Sequence, residues 1–94
     1  MATYLISYDL GVPETHSDYE KIKKYIDTFP DWMKPLKSQW FVVSNTKNAE
    51  KILDEIIAIT DSNDKILVLK VTNEDWASYN LGSVPNQWLK KNFN

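Results

Sequence analysis

The hydrophobic positions of this chain fall into short blocks whose spacing switches between strand and helix periods. Residues 3–9, Thr-Tyr-Leu-Ile-Ser-Tyr-Asp, are rich in β-branched and aromatic side chains and have the length of a strand. They are apolar on both faces near the middle, which predicts a central strand. Residues 10–16 contain Gly11 and Pro13 and read as a loop. Ser17-Asp18-Tyr19-Glu20 then has the spacing of a capping box, in which the serine oxygen takes an orphan amide and the glutamate reaches back. The helix it opens carries Tyr19, Ile22, Ile26 and Phe29 on one face. It runs to about Phe29, because Pro30 pushes the residue before it out of the helical region.

Residues 31–36 hold Pro35, so a strand there is bent or lies at an edge. Residues 38–44, Ser-Gln-Trp-Phe-Val-Val-Ser, predict a strand that can pair with it as a hairpin. Asn45 or Thr46 is the candidate cap of a second helix. In that helix Ala49, Ile52, Leu53, Ile56 and Ile57 form an apolar stripe, with Glu50, Lys51, Asp54 and Glu55 facing out. Residues 60–64, Thr-Asp-Ser-Asn-Asp, make a turn from side chains that hydrogen-bond their own backbone. Residues 65–71 show little alternation and read as a strand buried on both faces. Residues 76–81 read as a short edge strand. Residues 85–93 read as a short helix with Pro85 in its first turn, setting Trp88, Leu89 and Phe93 against an apolar surface.

The order strand, helix, two strands, helix, strand predicts an α+β fold. Two right-handed crossovers on one sheet give a ferredoxin-like βαββαβ sandwich, here with a C-terminal extension of edge strand and short helix, as a single domain over residues 1–94. Both helices then lie on one face and the other face is bare. An exposed aromatic sheet face tends to be covered by a second copy or a partner, so a homodimer is expected. Trp32, Trp40, Trp76 and Trp88 are assigned to that surface. Bases stacked on a sheet, as in RNA-recognition modules, would require a basic aromatic motif that the chain lacks.

Composition narrows the chemistry. Leu, Ile, Val and Phe together supply 25 of the 94 residues, enough for a core. The absence of cysteine removes disulfides, thiolate metal sites and a cysteine nucleophile. No apolar run approaches the roughly 20 residues of a membrane span, and the first residues lack the basic start of a secretory signal, so a cytoplasmic protein without membrane contact is expected. Net charge is −2, the sequence pI is about 5.3, and every basic residue is lysine. Arginine's planar fork, the usual bidentate reader of phosphate and guanine, is therefore missing. Contact with RNA or DNA would have to run through a local patch or a metal ion.

Three segments carry a resemblance. Tyr8-Asp9-Leu10 ends the first strand, Ser38-Gln39-Trp40-Phe41-Val42 forms the middle one, and Asp61-Ser62-Asn63-Asp64 precedes the last. In order and spacing these resemble the CRISPR-associated Cas-two family and the related VapD-type proteins, over most of residues 3–71. The resemblance implies a ferredoxin-like homodimer in which the first-strand aspartate, here Asp9, meets its twin across a two-fold axis and holds Mg2+ or Mn2+. It implies a metal-dependent endonuclease (a phosphodiesterase on RNA or DNA) in some relatives, and a scaffold for a partner nuclease in others. Ser38 matches the family's strand serine and is the candidate assistant in catalysis. Residues 76–81 would be the strand that adds to the partner's sheet. The alternative expectation is a catalytically silent binding or scaffold module of a phage-defence, counter-defence or toxin–antitoxin system, with a protein or nucleic-acid partner. Relatives commonly carry basic residues soon after the aspartate, whereas the first lysine here is Lys21.

The remaining candidates have simpler readings beside them. Magnesium keeps several waters, so one or two carboxylates plus substrate phosphate can hold it; an aspartate ending a strand equally serves to bind loop amides. Lys21, Lys24 and Lys37 are the candidate nucleic-acid contacts, with Lys23 and Lys34 nearby, although lysines on a solvated helix face need no function. His16, the one imidazole, reads as a solvated loop residue before the capping serine. Asp61 and Asp64 lack the glycine and distal glutamate of a calcium loop and read as turn formers. No glycine-rich phosphate cradle occurs.

Overall fold

The structure, a computed structural model, describes residues 1–11, 16–72 and 75–93, and the side chains of these except residues 16 and 17. The chain runs β1 (Ala2–Asp9), α1 (His16–Ile26), β2 (Asp31–Leu36), β3 (Gln39–Ser44), α2 (Ala49–Ile57), β4 (Lys65–Val71) and α3 (Ser83–Asn92). The strands form one sheet in the order β2-β3-β1-β4, with every neighbouring pair antiparallel. β1 is central, as its two apolar faces predicted. β2 is at an edge, and its register against β3 breaks between Met33 and Leu36, the stretch that holds Pro35.

Alternation along β1 sorts the core. Tyr4, Ile6 and Tyr8 are buried with Trp40 and Val42 of β3, Ile22 and Ile26 of α1, and Ile52 and Ile56 of α2. Both crossover helices therefore pack on one face of the sheet. Burying an isoleucine side chain is worth about 1.5–3 kcal/mol, and five isoleucines at 1% exposure or less form the centre of this layer.

Helix ends depart from expectation by small amounts. α1 begins at His16, one residue before the expected cap; the side chains of His16 and Ser17 lie outside the described residues. It ends at Ile26 rather than about Phe29, because the chain tightens into 3₁₀-type bonds from Thr28 to Tyr25 and from Phe29 to Ile26. Phe29 still enters the core, edge-on to Tyr25 at 5.3 Å. α2 is capped by Asn48, not by Asn45 or Thr46: its Oδ1 accepts the Lys51 amide at 2.8 Å. The earlier turn is closed by Ser44, whose Oγ accepts the Thr46 and Lys47 amides.

Two expectations fail. Residues 75–82 form no strand, so the edge strand expected over residues 76–81 is absent; Asn80 (φ +63°) and Gly82 (φ +98°) turn the backbone instead. Trp76 and Leu81 pack inward, and the Trp76 indole donates to the Phe93 carbonyl at 2.6 Å. The second sheet face is also not bare throughout. α3 crosses its β2–β3 half, where Met33, Leu89 and Phe93 are buried and Phe41 stacks on Trp88 at 5.7 Å. The Trp88 indole donates to Asp31 Oδ1 at 3.0 Å, which fixes the helix to β2. Among the described residues no helix is long and apolar enough to cross a membrane.

Candidate functional site

Asp9 closes β1 as an odd-numbered residue, so it belongs to the outer face with Leu5 and Ser7 rather than to the core face with Tyr8. It is exposed, and no described residue hydrogen-bonds or ion-pairs with its carboxylate. Loop residues 12–15, which follow it and whose amides belong to its simpler reading, lie outside the described residues. Its cross-strand neighbour is Lys65. The two rim a shallow depression of about 230 Å³ with Ser7, Tyr8, Ile66 and Leu67.

Ser38 lies in the turn between β2 and β3, and its carbonyl accepts the Tyr8 amide at 3.0 Å. The fold thus brings Asp9, Ser38 and the exposed Lys37 to one end of the sheet. It does not bring Lys21 and Lys24 with them: both are exposed on α1, which packs on the opposite face. Lys23 and Lys34 are engaged elsewhere. Lys23 pairs with Asp27 and sits 4.1 Å over the Trp32 ring, while Lys34 lies 5.1 Å from the Trp40 ring. Asp64 is a turn former, as expected. One oxygen accepts the Asp61 amide and the other the Gly11 amide, both at 2.8 Å. Gly11 passes so close that a Cβ there would run into the Asn63 side chain.

Tested as a cation site, the single chain offers little. No group of three or more His, Asp or Glu side chains converges among the described residues. One carboxylate beside a lysine attracts a divalent ion weakly, and a second oxygen-rich group from outside the protomer would be needed. The tryptophans form no open stacking platform either. Trp40 is buried and donates to the Tyr8 hydroxyl at 3.0 Å, with Trp32 edge-on to it at 5.6 Å on the core face. Burial raises the Tyr8 phenol above its ordinary range, the Trp40 hydrogen bond opposing this in part.

What pattern reading missed is the exposure of β4. The Ile-Leu-Val-Leu run was expected to be buried on both faces, yet β4 is the sheet edge opposite β2, and Leu67 and Leu69 are 59% and 37% exposed. Leu69 stands across from Leu5, and Leu67 across from Ser7. Leu5, Leu67 and Leu69 form an apolar strip on the part of the outer face that α3 leaves open, with Asp9 and Lys65 at one end; at the other end Val71 of β4 packs against Leu89 and Phe93 of the α3 layer. A second apolar surface, a groove of about 350 Å³, is lined by Leu36, Phe41, Trp76, Tyr79, Leu89 and Phe93 among others.

No protein-family model matches the chain, and neither a curated protein nor a solved structure matches it.

Proposed function

We propose that this chain is a ferredoxin-like binding or scaffold module that pairs with a second copy through the uncovered β1–β4 half of its sheet. The observation that carries the reading is the Leu5–Leu67–Leu69 strip, lying beside an edge strand whose outer backbone groups have no partner strand among the described residues. Exposed apolar surface next to an unpaired edge is where sheets associate. Sedimentation at micromolar concentration tests it. The native chain should run as a dimer, and the Leu67→Lys/Leu69→Lys variant as a folded monomer. A native monomer at that concentration removes the proposal.

One observation keeps a second reading alive. The Asp9 carboxylate, which has no partner among the described residues, stands at the end of the same strip, so pairing through this face would draw two copies of Asp9 toward a common axis. The resemblance of residues 3–71 to the CRISPR-associated Cas-two family supports that arrangement. Two carboxylates would suit Mg2+ or Mn2+, whose chemistry is to activate water and neutralise charge on a phosphodiester. Labelled RNA and DNA incubated with either ion should then be cleaved by the native chain and not by Asp9→Asn. Equal cleavage by both, or none by either, leaves the binding module alone.

A further inference from the structure

At the opposite end of β1, about 20 Å from Asp9 along the strand, lies a different kind of surface. A cavity of about 430 Å³ opens between the start of β1, the end of β3, the start of α2 and the end of β4. Lys47, Lys51 and Lys70 line it, and no carboxylate does. In a chain of net charge −2, three lysines from three segments meet at this one hollow, the Lys47 ammonium turned to Glu55 and to the Tyr25 and Phe29 rings, which lie outside its lining.

The charges there can be counted. Lys47 is already held by Glu55 at 2.6 Å, and Lys51 stands 3.9 Å from the same carboxylate. Lys70, the cross-strand neighbour of Tyr4, is exposed and has no described ion pair. Three lysines against one glutamate leave a surplus of two positive charges, the charge of a phosphate monoester with the sign reversed.

Hydrogen-bond chemistry agrees. Ser44 lines the cavity at 5% exposure, and its oxygen accepts from the Lys47 amide at 3.0 Å and the Thr46 amide at 3.4 Å. With both lone pairs engaged, the hydroxyl proton is left to donate, and no described residue accepts it. The first turn of α2, with its positive dipole end, opens beside it. The side chains of Asn45, Thr46 and Asn48 complete a polar wall, and the volume exceeds what one phosphate fills. The apolar part of the wall is Met1, Ala2 and the mostly buried Tyr4, all at the start of β1, and the other seven lining residues are polar or charged.

We propose that this cavity binds the phosphate monoester group of a small polar molecule, with Lys51, Lys70 and the Ser44 hydroxyl as its contacts. The site does not depend on Asp9 or on pairing between copies. Amide NMR titration with inorganic phosphate and ribose 5-phosphate, at constant ionic strength set with chloride, tests it. The amides of residues 44–51 and 70 should shift with ribose 5-phosphate, less strongly with phosphate, and not with ribose. The Lys51→Ala/Lys70→Ala variant, altered only at exposed positions, should bind about tenfold more weakly; Lys21→Ala/Lys24→Ala should bind as the native chain does. A double variant that titrates like the native chain overturns the proposal, as does the absence of shifts with both phosphates. Shifts at these amides with a single-stranded oligonucleotide but not with ribose 5-phosphate overturn it too, in favour of a nucleic-acid backbone.

Discussion

The outer face of the sheet consists of two surfaces of similar composition and different fate. Over β2 and β3, Met33 and Phe41 lie beneath Trp88, Leu89 and Phe93. Over β1 and β4, Leu67 and Leu69 stand exposed beside the half-buried Leu5, and the α3 layer reaches this side only at Val71 among the described residues. Both halves alternate with the strand period and both present large apolar side chains. The difference comes from one ten-residue helix, α3, whose indole bond to Asp31 and ring stack on Phe41 fix it to one side. Burial of a sheet face is thus a property of the connection that follows it, not of the strand residues themselves.

The largest expected effect breaks the covered half. Phe93→Ala removes a ring that is 5% exposed and in edge contact with both Phe41 and Trp88. Large-to-small changes of this kind cost about 3–5 kcal/mol, and the loss should appear as a lower urea midpoint with partial release of α3. Trp88→Phe is the gentler variant. It keeps a ring over Phe41 but gives up the bond to Asp31, at about 1–2 kcal/mol. If Phe93→Ala unfolds at the native midpoint, α3 is not the cover described.

A smaller effect contrasts α3 with the helices of the inner face. α1 and α2 are joined by a polar clasp as well as by isoleucines: the Tyr25 hydroxyl donates to Glu55 Oε1 at 2.7 Å, and Lys47 donates to the same oxygen at 2.6 Å. The Lys47 bond first, and the Tyr25 bond after it, hold the Glu55 carboxyl below its ordinary value. A lowered folded pKa stabilises above the unfolded value of about 4.3 and is lost as pH falls through the folded one. Tyr25 is the mirror case. Burial, and next the Glu55 bond, push its phenol up, so its contribution is present below about 10 and disappears as pH rises through the higher folded value. Tyr25→Phe should cost about 1 kcal/mol at neutral pH and should lack the native chain's additional alkaline loss in denaturant midpoints measured across pH. An unchanged alkaline limb would place the titration elsewhere.

The same contrast shows how far the sequence could be read. The strands, both crossover helices and α3 were legible because each carries a period: Ile22 and Ile26 on α1, Ile52 and Ile56 on α2, Trp88 and Leu89 behind Pro85. Asp64 was legible as a turn former because its chemistry is local. The exposure of β4 was not, because Ile-Leu-Val-Leu reads alike at a centre and at an edge, and only the pairing of β1 with both β3 and β4 decides. Residues 76–81 looked like a strand by content, but their tryptophan and leucine are spent on the underside of α3. Asp9 and Ser38 were visible as residues, but their placement at one end of the sheet comes from the antiparallel register of β3 on β1. The lysine-lined hollow was invisible, since Lys47, Lys51 and Lys70 meet only through the register of β4 on β1 and the cap of α2.

The smallest expected effect is the sharpest test of the bare half. At 59% exposure, Leu67 has little left to lose within one protomer, and exposed substitutions usually change stability by no more than about 0.5 kcal/mol. Leu67→Ala, denatured in urea at a concentration low enough for single protomers, should therefore match the native chain within that margin. At higher concentration the two should diverge, because a dimer adds stability by mass action to the chain that pairs and less to the one whose strip is trimmed. The concentration dependence separates the cases that a single melting curve would merge. A loss well above 1 kcal/mol that stays constant across protein concentration would mean that this half of the sheet is covered within its own protomer, and the contrast with the α3 side would disappear.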